Sequence, residues 1–508
     1  MRTCNVVVWL SMTACLGACG GSDSTENDAT GGVGGAGSPM AGVGGVGAGG
    51  SAGAMGGAAG VSSTSGAGGG AAAGVGGAGA SGAGAGGAPV LPASCAEAAS
   101  AYTVTSTMID ASFVVAEEDR SWGGGAPRAP VAVDPGTGQV YVAFTRAEGE
   151  TRSVVIAAEN GMPADAIIIA DAAVGGVAVT SDGVAALVFD PNSTVDERMW
   201  TAVARFTADG MESFSTELFH SPNLEDVGTK GAPSTARLGY VADADELVAY
   251  FGHTQRYDDD VRHQGGYLAT IDASGTQDLL EGWFGSHNLD QRLLVDGSKA
   301  AVLGLGDAFP KGIFFSYLDN PRTNVIYRLA ADGVGTTNGQ LGGMIDFGDH
   351  IIAPFITNRS VAQDLDAGPW PDTDETISMQ IRDAAAAGTD MGLLSIPKSD
   401  LPEGDLEPVW LELEVGSGAR LASLKSAQYG EGELILLAWA ELTGSQRNQV
   451  ASYYTMIVDV DGAVCQPKTE LGAAYAFTDG DDLVRRPDGT IVWANVQNEQ
   501  AQIVTLTP

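Results

Sequence analysis

Positive charge is scarce in this sequence. Its 25 lysines and arginines face 63 aspartates and glutamates, a formal net charge of −38 over 508 residues. No basic stripe is left to displace counterions from a phosphate backbone, so nucleic acid is excluded as a partner. Such a surface suits cations better, Ca²⁺ among them; acidity also keeps an exported protein soluble. Histidine is rarer still, at five residues, and no compact metal motif such as HExxH occurs. The glycine runs "GTDMG" and "GVGG" lack the strand–loop–helix context of a phosphate site. "DVDGAVC" at 459 starts like a Ca²⁺ loop but has no glutamate at the twelfth position. The apolar run Val6 to Leu16 is too short to span a bilayer. After residue 95 no long 3.6-residue apolar period appears, so helices do not organise the chain.

What is present at the N-terminus is an export signal. Arg2 precedes the apolar run, which has the length of a signal-peptide core. It ends in "LGAC", Leu16 to Cys19, which resembles a bacterial lipobox; an ordinary secretory signal is the alternative. The resemblance implies that Cys19 is lipidated and becomes the new N-terminus, with acyl chains as the membrane anchor. Gly20, rather than Asp, follows it. By the sorting rule of such lipoproteins, that implies the outer membrane, at the cell surface or on its periplasmic face. Residues 31 to 88 then hold 27 glycines and no charge. So little side-chain surface cannot offset backbone entropy, and the segment is expected to be a disordered tether spanning roughly 40 Å root-mean-square. The expected organisation is a signal peptide over 1–18, a Gly/Ala/Ser-rich tether over 19–94 and a folded domain over 95–508. Cys4 and Cys15 leave with the signal peptide, so Cys95 and Cys465 are the cysteines left to pair in an oxidising compartment. The folded part keeps 24 basic and 60 acidic side chains, a net charge of −36.

Residues 95 to 508 repeat a pattern. Short β-rich runs such as "QVYVAF", "AALVF", "ELILLAWA" and "TIVWANV" follow tight-turn signals at 134, 180, 243, 295, 346, 430 and 486. A second set of turns interleaves: "AENG" at 158, "TADG" at 207, "DASG" at 272, "AADG" at 330, "PKSDLPEG" at 397 and "DVDG" at 459. Two hairpins per unit make four antiparallel strands, which predicts an all-β fold, a seven-bladed β-propeller, with six or eight blades as the alternatives. The last unit is one strand short, and "AYTVTSTMI", 101 to 109, is expected to supply it. In each blade of strands A to D, the A–B and C–D turns share one face. The B–C loops and the links between blades share the other.

Four of the five histidines map to that second face. His220 and His287 fall on links, and His253 and His263 in "GHTQRYDDDVRHQGG", the B–C hairpin of the third blade. "GDAFPKG", with Asp307, joins them, as does the acidic aromatic loop "GPWPDTDE". The motifs "GHT", "HQGG", "GSHNLDQR" and "GDAFPKG", over roughly 250–315, resemble a group of exported bacterial propeller lipoproteins. That group carries "HQGD" where this chain has Gly266, so one carboxylate is missing from any metal site carried over. The resemblance implies no activity.

Three uses fit the histidine hairpin. His253, His263 and His287 with Asp290 or Asp307 could ligate a divalent metal such as Zn²⁺, Mn²⁺ or Fe²⁺. A histidine could serve as an acid–base group with Arg256, Arg262 or Arg292 positioning the ligand. The histidines could simply brace a long loop. The expected function is a membrane-anchored binding module for a protein, peptide or glycan, and the alternative is a metal-dependent or acid–base enzyme, a hydrolase or lyase. Metabolic labelling with a palmitate analogue should mark the protein, and Cys19→Ala should abolish the label; labelling that survives the substitution rules out the anchor.

Overall fold

The computed structural model describes residues 7–8, 93–99, 101–109, 113, 115–116, 128–191, 200–220, 230–256, 262–286, 288–306, 312–319, 324–328, 339–357, 388–399, 405–443, 449–477 and 481–508. Seven antiparallel sheets follow one another, each built from strands A to D in spatial order. The fold is the seven-bladed β-propeller expected from the turns. Blade 1 comprises Val131–Val133, Val140–Glu148, Thr151–Ala158 and Ile167–Ala170. Val7–Val8 adds a short parallel strand to its outer edge. Blade 3 has the long strands Lys230–Val241, Glu246–Arg256, Arg262–Ile271 and Gln277–Ser286. In blade 5 the innermost strand is split into Gln340–Leu341 and Ile345–Asp346. Blade 7 takes Val484–Arg485, Ile491–Gln497 and Gln500–Thr507 from the C-terminus and Thr103–Met108 from the N-terminus, with Thr103 opposite Thr507. The N-terminal segment thus fills the vacancy in the last unit.

The tight turns form for a local reason. Asp272 accepts hydrogen bonds from the backbone N–H groups of Ser274 and Thr276 at 2.9 and 2.8 Å, and Gly275 takes φ +82°. Asp459 does the same for Ala463, with Gly462 at φ +82°. An aspartate closing its own turn beside a left-handed glycine is what the Asp-Gly signals encode. All seven expected A–B turns are present. One C–D turn differs. In blade 4 Gly312–Tyr317 pairs antiparallel with Asn324–Arg328, so "AADG" at 330 comes after the fourth strand, outside the described residues, and the sequence between the two strands holds Asn320-Pro321. Asn320-Pro321 is itself a turn signal, and proline cannot donate to a ladder.

The core is divided among the seams. Seven clusters of buried apolar side chains occupy the seven blade-to-blade contacts, such as Leu187, Phe189 and Val203 of blade 2 against Leu247, Phe251 and Ile271 of blade 3. The seam between blades 6 and 7 also takes Cys95, Ala98 and Cys465. Cys95 and Cys465 are joined in a buried disulfide with their Cα atoms 4.9 Å apart. Ser94 Oγ adds a 2.8 Å bond to Asp459. The closing strand itself is largely exposed, so the clamp beside it supplies what burial does not. Cys465→Ser should cost about 2–5 kcal/mol, read as a lower melting temperature by scanning calorimetry. An unchanged melting temperature would mean that strand pairing alone closes the ring.

Candidate functional site

A cavity of about 960 Å³ lies on the propeller axis, lined by the innermost strands of all seven blades. Small residues let those strands converge. A Cβ on Gly176 would lie 2.8 Å from the backbone nitrogen of Leu238, and one on Gly239 would lie 2.7 Å from Val295 Cγ2. The mouth opens among the A–B turns, at Asp134, Ser181, Asp296 and Asp346. Cations fasten the turns of neighbouring blades around it. Lys398 joins Asp296 to Asp346, Arg205 joins Asp182 to Asp245, and Arg486 joins the last blade to Glu159 of the first.

The other end holds a knot of buried charges. Arg128 pairs with Asp481 through Nε and Nη2 at 3.1 and 2.7 Å, and donates to the carbonyls of Gly175 and Ala236. Asp481 also accepts from the Ala129 N–H at 2.8 Å. Arg237 reaches Asp482 at 2.8 Å, and Arg292 reaches the same carboxylate at 3.2 Å while bonding Asp290 and the carbonyls of Gln291 and Leu341. Asp290 in turn accepts from the Leu341 N–H at 3.0 Å. The buried Lys425 completes the group. Each inner strand pairs on one side only, so its free edge carries backbone groups that need partners. The guanidinium forks supply those partners at the floor.

Electrostatics hold the knot together. Burial works to raise the Asp482 carboxyl, but Arg237, Arg292 and Lys425 outweigh it and hold the group down at about 2. Burial pushes Arg237 below the usual guanidinium range, with Asp482 opposing and the neighbouring Arg292 and Arg128 adding to the fall. Arg292 goes the other way, because Asp290 and Asp482 outweigh its burial. The Asp482 side chain is 21% accessible, and it is exposed to the cavity that it lines.

The structure brings together two of the residues singled out from the sequence, Asp290 and Arg292, and it places them on the axis. His253 sits on strand B of blade 3 between Gly231 and Gly265 of the flanking strands, 2% exposed, with its ring edge-on to Tyr267 at 6.0 Å. Tyr267 donates to the Leu218 carbonyl of blade 2 and accepts from Gln277, both at 2.7 Å. His263 pairs with Gln255, and Arg262 with Arg256, so the stretch forms the end of one hairpin whose tip, 257–261, lies outside the described residues. His287 and Asp307 also lie outside them, as do Cys19 and most of the glycine-rich segment expected to be a tether. Among the described residues, Cys95, Cys465 and Asp459 are the group of potential ligands at metal spacing, and both sulfurs are tied up in the disulfide. Sequence reasoning missed Arg128, Arg237, Lys425, Asp481 and Asp482. In blades 1, 3, 4 and 7 a charged residue precedes the turn aspartate by six positions, as Arg128 and Asp134, Arg237 and Asp243, Asp290 and Asp296, and Asp482 and Asp488. That regularity was the available signal. The cavity, too, opens on the tight-turn face, opposite the loop-rich one.

No protein-family model matches the chain, and no curated protein matches it. The chain is similar to several solved structures. The β-propeller domain of the Trilobed protease from Pyrococcus furiosus, described as having an open velcro topology, is 9% identical with a TM-score of 0.38, over 75% of this chain and 94% of that one. Prolyl oligopeptidase B from Galerina marginata gives 9% and 0.38, over 75% of this chain and 46% of that one. Trypanosoma rangeli sialidase gives 8% and 0.33, over 79% and 59%. At these values they carry nothing about activity, and the fold rests on the strand pairing itself.

Asp482→Asn leaves Arg237 and Arg292 without their shared carboxylate, so a denaturant titration at pH 7 should show a loss of about 3–5 kcal/mol. The folded carboxyl at about 2 lies below its unfolded value, which is near pH 4. Its contribution is therefore full above that pH and is lost as the pH falls toward 2. The gap between wild type and variant should shrink over the same window. A gap constant with pH would mean that Asp482 acts by shape and not by charge.

Proposed function

We propose that this protein is an exported binding module, anchored to the outer membrane through Cys19, that receives its ligand in the axial funnel. The cavity carries the reading. Its 960 Å³ falls in the range of small-ligand sites. The ionic knot closes one end, and ion pairs between turns hold the mouth in place before any ligand arrives. Preorganisation of this kind lowers the ordering cost of binding. The Gly-rich segment before residue 93 serves as the spacer that keeps the propeller off the lipid surface, at the cell surface or on the periplasmic side. The chain enters the propeller beside the C–D turn of blade 6, where Ser94 bonds Asp459, on the same face as the funnel mouth.

Thermal-shift screening of the mature chain against panels of short peptides and oligosaccharides tests the reading. A ligand at 100 times its dissociation constant should add about 2.7 kcal/mol. Met344 lines the funnel and is half-buried. Met344→Trp, with its fold checked by circular dichroism, should erase the shift. Shifts that survive the substitution would place the site elsewhere.

A further inference from the structure

We infer that the funnel selects an extended polypeptide segment with an apolar tip flanked by lysine or arginine. The inference rests on the funnel being the ligand site, and it adds the chemistry of the occupant.

Three features of the cavity converge on that class. The first is its backbone. Seven inner strands, each paired on one side only, turn their second edges toward the axis. The arginines of the knot take the carbonyls of Gly175, Ala236, Gln291 and Leu341 at the floor. Higher up, the edges face the cavity. An extended chain is the ligand whose own donors and acceptors repeat at the spacing of a strand edge.

The second feature is the wall. Val133, Val179, Leu293, Val295 and Met344 are half-buried and line the cavity. Apolar side chains alternating along a strand fill such a surface. A wholly polar ligand would leave it wet.

The third is the charge of the mouth. The seven A–B turns, all described, hold nine carboxylates; Lys299 and Arg486 stand among them, and Arg205, Lys398 and Arg485 pair with four of the nine from outside those turns. The Thr137 hydroxyl and two backbone N–H groups hold Asp134 below the usual carboxylate range against its partial burial, and Thr490 does the same for Asp488. Both stay ionised at neutral pH. At the opposite end, Arg128 and Arg237 line the floor with Asp481 and Asp482, and Arg292 and Lys425 lie behind them. A ligand cation is therefore attracted at the rim, while the carboxylates of the floor are already paired with arginines and offer it no comparable site. That gradient sets how deep the segment goes, with the tip inside and the basic flanks among the turns.

The test uses the mature chain and three peptides capped at both ends. Each has a valine-glycine-valine tip between two pairs of lysines, glutamines or glutamates, with binding read by fluorescence anisotropy. The lysine peptide should bind at 20 mM salt and weaken about tenfold by 300 mM. The glutamate peptide should not bind. The double substitution Asp134→Asn with Asp488→Asn should weaken the lysine peptide several-fold more than it weakens the glutamine peptide. Equal binding of the lysine and glutamine peptides at 20 mM salt overturns the charge selection while leaving the funnel as the ligand site. Lysine-peptide binding that is unaffected by Met344→Trp overturns the funnel as the site. Displacement of the lysine peptide by spermine at matched charge overturns the polypeptide class. Binding by none of the three peptides overturns the inference as a whole.

Discussion

Seven strand edges meet at the axis of this molecule, and their backbone groups must find partners where no eighth strand can reach. The knot at the floor is the solution. Arg128 stands before blade 1, the Gly175 carbonyl comes from blade 2, and Arg237 and the Ala236 carbonyl come from blade 3. Asp290 and Arg292 belong to blade 4, Leu341 to blade 5, Lys425 to blade 6, and Asp481 and Asp482 to blade 7. Every blade contributes a charge or a backbone group, so a shift of any blade disturbs the knot. Arginine suits the place because one planar fork can serve a carboxylate and carbonyls together. Such a knot fixes register more surely than it adds stability, since burying its ions offsets much of their attraction.

The same constraint shapes the cavity. A propeller of seven blades leaves a channel, and here the channel is plugged at one end and open at the other. Apolar packing fills the seams between blades, and at the axis polar and apolar surface meet over a volume large enough to hold another molecule. Carboxylates can collect on the turns around the mouth because an aspartate that closes its own turn already has its hydrogen bonds. It can therefore sit near others of its sign.

Much of the architecture was legible in the sequence because its causes are local. A glycine that needs positive φ beside an aspartate that caps the turn marks a hairpin wherever it occurs. Four of the seven A–B turns, at Asp134, Asp296, Asp346 and Asp488, carry that mark, and "TSDG", "DADE" and "GEGE" mark the other three by small and acidic residues between apolar runs. The closing strand was legible from a deficit, as one unit ended a strand short. Blade 4 shows the limit: the sequence between its third and fourth strands holds Asn320-Pro321 and no Asp-Gly, and a later "AADG" drew the assignment away. The site was less legible because its causes are not local. Arg237 and Asp482 stand 245 positions apart, and neither looks unusual in a strand of alternating polarity. Asp290 and Arg292 did stand out, but as neighbours of a histidine on a loop. Their partners Asp482 and Leu341 come from other blades and become neighbours only when the ring closes.

The closing strand has a consequence in time. Thr103–Met108 is made early, and its partner Gln500–Thr507 is the last strand of the chain. Until the final residues emerge, one edge at each end of the ring lacks its mate, and the two cysteines that clamp them are 370 positions apart. Contacts of that range form late and slowly, because the entropy of closing the loop must be met before they stabilise anything. A chain synthesised from its N-terminus cannot complete this propeller blade by blade. It must keep its first strand unpaired and soluble through the whole of synthesis, which accounts for a strand built from threonine and serine with so little apolar surface to hide.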